Sequence, residues 1–191
     1  MRHVLTFICA VVMALAQPAW GAAPAVTQQE WGTADGETVY LYTLTNSRGM
    51  VAKITNYGGI VVELTAPDRN GRMDNIVLGL NSLDAYLKGH PAFGCIVGRY
   101  INRIGNARFT LDGKEYVLAK NSNGRHSIHG GRRNFYTHVW NASTAADHSS
   151  ATLTLTRRSP DMEEGFPGNL DVRVDYTLTD ENELRIEYTA T

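Results

Sequence analysis

The sequence predicts an all-β fold, an antiparallel sandwich or barrel, and three observations carry that expectation. Short runs of alternating apolar and polar residues recur along most of the chain. Pro, Asn-Gly and Asp-Gly pairs interrupt them at close spacing, where turn chemistry replaces strand chemistry. Only one stretch has helical spacing, and it lasts barely two turns. Many short strands with frequent turn signals suit a sheet packed on a sheet, or a sheet closed on itself.

GETVYLYTLTN (36–46) sets Val39, Leu41 and Thr43 against Tyr40, Tyr42 and Leu44. That period of two puts successive side chains on opposite faces of a strand. GMVAKITNYGG (49–59) and IVVELTAP (60–67) follow as strands, with Ser47-Arg48-Gly49 as the turn into the first of them. APDRNGRMD (66–74) carries turn residues, and NIVLGL (75–80) reads as a short apolar strand. SLDAYLKG (82–89) is the helical stretch, with Ser82 placed to cap it and Gly89 to end it. In ARFTLDGKEYVLA (107–119), two alternating runs flank Asp112-Gly113, a pair suited to the positive φ of a tight hairpin. SATLTLTRRS (150–159), LDVRVDYTLT (170–179) and ELRIEYTAT (183–191) complete the strands, the last two joined through Asp180-Glu181-Asn182. No repeat, linker or low-complexity segment appears, so residues 26–191 are expected to form one domain. The final run stops without a turn or polar tail and would leave an open sheet edge. The expectation is therefore a sandwich incomplete at the C-terminus, in a chain that continues past Thr191.

The N-terminus has its own logic. Arg2 and His3 precede an apolar run from Leu5 to Ala16 broken only by Thr6, and small residues follow in QPAWGAAPA (17–25). This is the order of a secretory signal, with cleavage expected between residues 21 and 25. The run is too short to span a bilayer, which needs about 20 apolar residues, and no other stretch is long enough. The mature protein is expected to be exported, periplasmic or secreted. Cys9 lies inside the signal, which leaves Cys95 alone and an internal disulfide impossible. A net charge of −1 with no basic block gives no electrostatic footprint for nucleic acid.

Three segments hold residues suited to chemistry. GRYINRI (98–104) places Asn102, a two-way amide, beside Arg103, a fixed fork of donors, which together suit the hydroxyls and ring oxygen of a neutral sugar. SIHGG (127–131) flanks His129 with glycines that let backbone and imidazole approach a ligand closely. His126 and His129 have no companion Cys, His or acidic motif, so no metal is expected. RRSPDMEEGFPGNL (157–170) offers Asp161, Glu163 and Glu164, which invite comparison with the paired carboxylates of glycosidases. On a Pro- and Gly-rich loop they read as a solvated, turn-forming surface. No Gly-x-Ser-x-Gly, P-loop or Gly-x-Gly-x-x-Gly motif supports acyl transfer or nucleotide chemistry.

Taken together and in order, five segments resemble the aldose 1-epimerase (mutarotase) family: 54–80, 86–121, 127–140, 159–170 and 176–191. The resemblance runs from about Gly32 to the last residue. It implies an antiparallel β-sandwich of the galactose-mutarotase type that interconverts the α and β anomers of free aldohexoses, with no cofactor. In such enzymes a carboxylate takes the proton of the anomeric hydroxyl while a histidine protonates the ring oxygen; the ring opens, the C1–C2 bond rotates, and the ring recloses on its other face. Asn102 and Arg103 match the family's Asn-Arg sugar contacts, and His129 matches the histidine of its His-Gly-Gly segment. The chain departs from the family pattern at Asn134-Phe135-Tyr136, where Gly-Phe-Asp is usual, at Met162, where Gly is common, and at Cys95, where a small residue is common. The family's acid histidine lies in an Asn-His-x-x-Phe-Asn-type segment and its base glutamate further on, both expected beyond Thr191. His90, His126, His138 and His148 do not sit in that motif, so no catalytic residue is assigned within the chain. Two other readings stay open on the residues alone: a non-catalytic carbohydrate-binding sandwich that uses Asn102, Arg103 and His129, and a glycosidase built on the Asp161–Glu164 loop.

Overall fold

A computed structural model describes residues 22–191; the expected signal segment lies outside them up to Gly21. Strands β1 (Ala25–Ala34), β2 (Glu37–Thr45), β3 (Val51–Thr55), β4 (Val61–Pro67) and β5 (Met73–Asn75) form one antiparallel sheet in chain order. The short helix α1 (Leu83–Leu87) follows, then two small antiparallel pairs built from β6 (Arg103–Ile104), β7 (Arg108–Leu111), β8 (Lys114–Val117) and β9 (Ser127–Ile128). In these pairs β6 meets β9 and β7 meets β8. A second antiparallel sheet, again in chain order, comprises β10 (Asn141–Ala146), β11 (Ser150–Ser159), β12 (Leu170–Thr179) and β13 (Leu184–Ala190).

The two large sheets share one core, as a sandwich requires. Leu44, Ala52 and Ile54 of the first sheet pack with Leu153, Leu155, Val174 and Leu178 of the second, all fully buried. The alternation read in 36–46, 150–159 and 170–179 is the alternation of these inward positions. Three polar side chains fasten the sheets where apolar packing alone would allow sliding. Asn46 donates to the carbonyl of Thr179 (2.8 Å) and to Oδ1 of Asn182 (2.7 Å), while its own Oδ1 accepts from the amides of Arg48 and Met50. Asn56 accepts from the amide of Tyr40 and donates to the carbonyl of Trp140. Tyr176, on β12, donates its hydroxyl to the carbonyl of Gly59 at 2.6 Å. Buried polar groups that are satisfied in this way fix one register where apolar contacts are tolerant.

The local turn and cap signals are borne out. Asp112 and Gly113 adopt φ of 50° and 77° in a two-residue turn between β7 and β8. Ser82 accepts from the amide of Ala85 at the start of α1, and Gly89 (φ 110°) follows its C-cap Lys88. The strand expected at 75–80 is not formed. Pairing stops at Asn75, whose side chain takes over the local hydrogen bonds, accepting from the amides of Leu64 and Val77 and donating to the carbonyl of Val77. Ile76 and Leu78 are left 63% and 69% exposed. Two strands carry no usable pattern in the sequence. Both β1 and β10 are edge strands exposed along most of their length; β10 is built of small and polar residues, while in β1 a register slip between Glu30 and Gly32 breaks the spacing of the core-packed Val26, Trp31 and Ala34. No helix among the described residues is long and apolar enough to cross a membrane.

Candidate functional site

The β6–β9 pair brings the segments around Asn102-Arg103 and His129 together. Arg103 faces Ile128 across that ladder, and one residue out on each side the chain leaves the strand with positive φ, 63° at Asn102 and 54° at His129. Those turns set up a reciprocal contact. The His129 amide donates to the carbonyl of Asn102 at 3.0 Å, and the Asn102 amide donates to Nδ1 of His129 at 3.1 Å. With Nδ1 accepting, the neutral ring carries its proton on Nε2, which makes that edge the donor to any ligand. Arg103 lies alongside, with Nη1 3.3 Å from Oδ1 of Asn102. Asn102 and Arg103 are exposed and His129 is half-buried. A guanidinium, an amide and an imidazole are therefore neighbours through Asn102, a set of groups whose chemistry suits a neutral polyol. His126 is separate from this group, since its Nδ1 accepts from the amide of Asn106.

Beside Arg103 opens a cleft of about 570 Å³ whose walls include Tyr100, Ile104, Phe109 and Phe166. It reaches Arg103 and not Asn102 or His129. An apolar wall next to a charged fork provides one surface for the C–H face of a ring and another for its hydroxyls.

The loop that carries His129 is held from beneath. Asn121 accepts from the amide of Ile128 at 2.7 Å and donates to the carbonyls of Ile128 (2.9 Å) and Gly131 (2.7 Å). Asn134 adds a further donor to the carbonyl of Gly131 and caps the turn at 135–137 through the amide of Tyr136. This is where the chain departs from the family's Gly-Phe-Asp pattern, and here Asn134 and Phe135 are buried parts of the support.

The reading of Asp161, Glu163 and Glu164 as a solvated surface holds for the first and fails for the others. Asp161 is exposed and closes its loop by accepting from the amide of Gly168. Glu163 is not solvated: it pairs with Arg157, the two side chains being 15% and 11% exposed, and accepts from the hydroxyl of Ser159. Burial pushes its carboxyl up, but the hydrogen bonds from Arg157 and Ser159 outweigh that and hold it below the usual carboxylate range. Glu164 faces the backbone of Arg132 and Arg133. Met162, where the family commonly has Gly, sits at φ 62°, a conformation that glycine adopts without steric cost.

Arg99 is a loop anchor that sequence reasoning passes over, although it lies in the same seven-residue stretch as Asn102 and Arg103. Its guanidinium donates to the hydroxyl of Ser159 and to the carbonyls of Ser159, Pro160, Pro167 and Gly168, at 2.7–2.9 Å. Nothing local separates Arg99 from Arg103. Four of the five partners of Arg99 are backbone carbonyls of the loop at 159–168, which leave no mark in the sequence, so only folding reveals that they meet.

His138 lies 3.6 Å from Glu163 and contacts the carbonyl of Arg133. Burial, and after it the charge of Arg157, holds its ring below the ordinary histidine range. The unfolded chain therefore takes up this proton more readily. His138 contributes stability that is present above about pH 6.5, the unperturbed value, and is lost as pH falls through its lower folded value. Urea midpoints are expected to decline from pH 7.5 to pH 5.5, with a shallower slope in His138→Gln. An equal slope in the variant would remove His138 as a cause.

A sequence profile described as Aldose 1-epimerase matches residues 40–191. Galactose mutarotase of Sus scrofa is 46% identical over 137 residues, which cover 72% of this chain and 38% of that protein. Aldose 1-epimerase of Escherichia coli K12 is 35% identical over 157 residues, covering 82% of this chain and 44% of the relative. The crystal structure of galactose 1-epimerase from Lactobacillus acidophilus NCFM superposes with a TM-score of 0.79 at 28% identity, over 88% of this chain and 49% of that one. The chain thus spans less than half the length of these curated relatives.

Proposed function

This chain belongs to the aldose 1-epimerase family, and from that premise we propose that it carries the sugar-holding side of an enzyme interconverting the anomers of a free aldohexose such as glucose or galactose. The observation behind this reading is the reciprocal hydrogen bonding of Asn102 and His129 with the Arg103 guanidinium beside them. In the proposal Arg103 and the Nε2–H of His129 grip the sugar and stabilise negative charge near its ring oxygen as the ring opens. The proton is given to the ring oxygen, and taken from the anomeric hydroxyl, by an acid histidine and a base glutamate that are not assigned within residues 1–191. The enzyme acts outside the cytoplasm, a reading supported by the basic, apolar and small-residue order of residues 1–25.

Calorimetric titration with galactose and glucose tests the binding half. Hydrogen bonds to a charged donor contribute about 1.5–3 kcal/mol each, so Arg103→Ala is expected to weaken sugar affinity by about tenfold to a hundredfold. Unchanged affinity in that variant would refute the assignment. Optical rotation of freshly dissolved α-galactose tests the other half: the 191-residue chain is expected to leave the buffer rate of mutarotation unaltered. Clear acceleration by this chain would show that an acid–base pair lies within it.

A further inference from the structure

Glu164 lies 35 residues after His129 and touches no group proposed to meet sugar, yet its carboxylate is aimed at the loop that carries His129. Oε2 accepts from the amide of Arg132 at 2.9 Å and Oε1 from the amide of Arg133 at 2.8 Å. Two oxygens thus span two consecutive amides directly after the glycine pair. Gly131 makes this approach possible: a β-carbon there would lie 2.7 Å from Cδ of Glu164. The carboxylate is itself presented from a fixed base. Its neighbour Glu163 is tied to Arg157 and Ser159, and the loop at 159–168 is gathered by the Arg99 guanidinium. Asn121 holds the same segment from the other side, through Ile128 and Gly131.

We propose that Glu164 is a positioning residue for sugar binding, its carboxylate clamping the amides of Arg132 and Arg133 so that His129 keeps its Nε2–H aimed at the ligand. The proposal rests on the reading of His129 as a sugar contact. Carboxylate-to-amide hydrogen bonds are charge-assisted and stronger than neutral ones, and a short clamp on backbone limits rotation of the loop more than packing on a glycine pair can. Glu164→Gln keeps the shape and replaces one oxygen with an NH₂ that meets an amide donor to donor. One anchor is then lost, and the glycines are free to turn.

Amide hydrogen exchange, the His129 ring resonances and galactose titration, all on the full chain, test the clamp. In the unsubstituted protein the amides of Arg132 and Arg133 are expected to exchange slowly although both residues are exposed; fast exchange there overturns the proposal without any variant. In Glu164→Gln those amides are expected to exchange at least tenfold faster, the His129 ring signals to shift or broaden, and galactose affinity of the folded protein to fall about tenfold. A purely structural role would leave the His129 signals and the affinity of the folded fraction unmoved whatever the change in melting temperature, and that result also overturns the proposal. Glu164→Asp, which keeps the charge but retracts both oxygens, carries the same expectations should the Gln variant fail to fold. If the unsubstituted chain binds no galactose, the sugar-site reading fails, and the exchange and ring measurements still decide whether Glu164 orients His129.

Discussion

Gly130→Ala is expected to cost about 2–5 kcal/mol of stability and to abolish sugar binding. Gly130 has φ of 87°, and a β-carbon on it would collide with the carbonyl of Gly98 and lie 2.6 Å from the amide nitrogen of Arg99. Both are backbone atoms, so no side-chain rotation relieves the clash. Either the 98–99 segment or the His129 loop must move, and each carries part of the site. The positive φ alone costs an L-residue about 1–2 kcal/mol, and overpacking adds about 1–3 kcal/mol. Gly113 separates the two contributions. It has φ of 77°, and a β-carbon on it would meet nothing within 4 Å, so Gly113→Ala should cost only the conformational part and leave sugar affinity intact. Urea unfolding of both variants measures the difference; equal costs would mean that the Gly98 contact is unimportant.

Arg99→Ala is the second large effect, an expected loss of about 3 kcal/mol. Five hydrogen bonds from one guanidinium bind the loop at 159–168, and removing them leaves carbonyls near a half-buried centre without donors. For a domain of this size that corresponds to roughly 6–12 °C in melting temperature. Arg99→Lys should recover little, because an ammonium has three donors and lacks the planar spread to reach carbonyls on both limbs of the loop. Because the loop also presents Glu164, sugar affinity should fall along with stability. Calorimetric melting of the two variants checks this, and a lysine variant as stable as the parent would show that charge rather than geometry matters at Arg99.

The arginines of residues 98–104 show where sequence reading reaches its limit. Chemistry and resemblance single out Arg103 with Asn102, and folding sets both beside His129 on the β6–β9 pair. Arg99 has the same side chain in the same stretch, but its partners are 60 to 69 residues away. The reading of Glu164 as a surface residue fails for the same reason. Its partners are main-chain amides of Arg132 and Arg133, and any residue but proline supplies a main-chain amide, so the sequence contains no sign of them.

What the sequence determined by itself is whatever follows from neighbours along the chain. The inward alternation of β2, β11 and β12, the Asp112-Gly113 turn and the Ser82 cap each depend on residues within one element, and each is legible. Edge strands β1 and β10 are not: β10 is small, polar and largely in water, and the register slip in β1 breaks the period of its core-packed Val26, Trp31 and Ala34. Only the tertiary structure decided which charged groups face solvent and which hold loops together. Those roles are set by carbonyls and amides brought close by the packing of two sheets, and backbone groups are identical at almost every position.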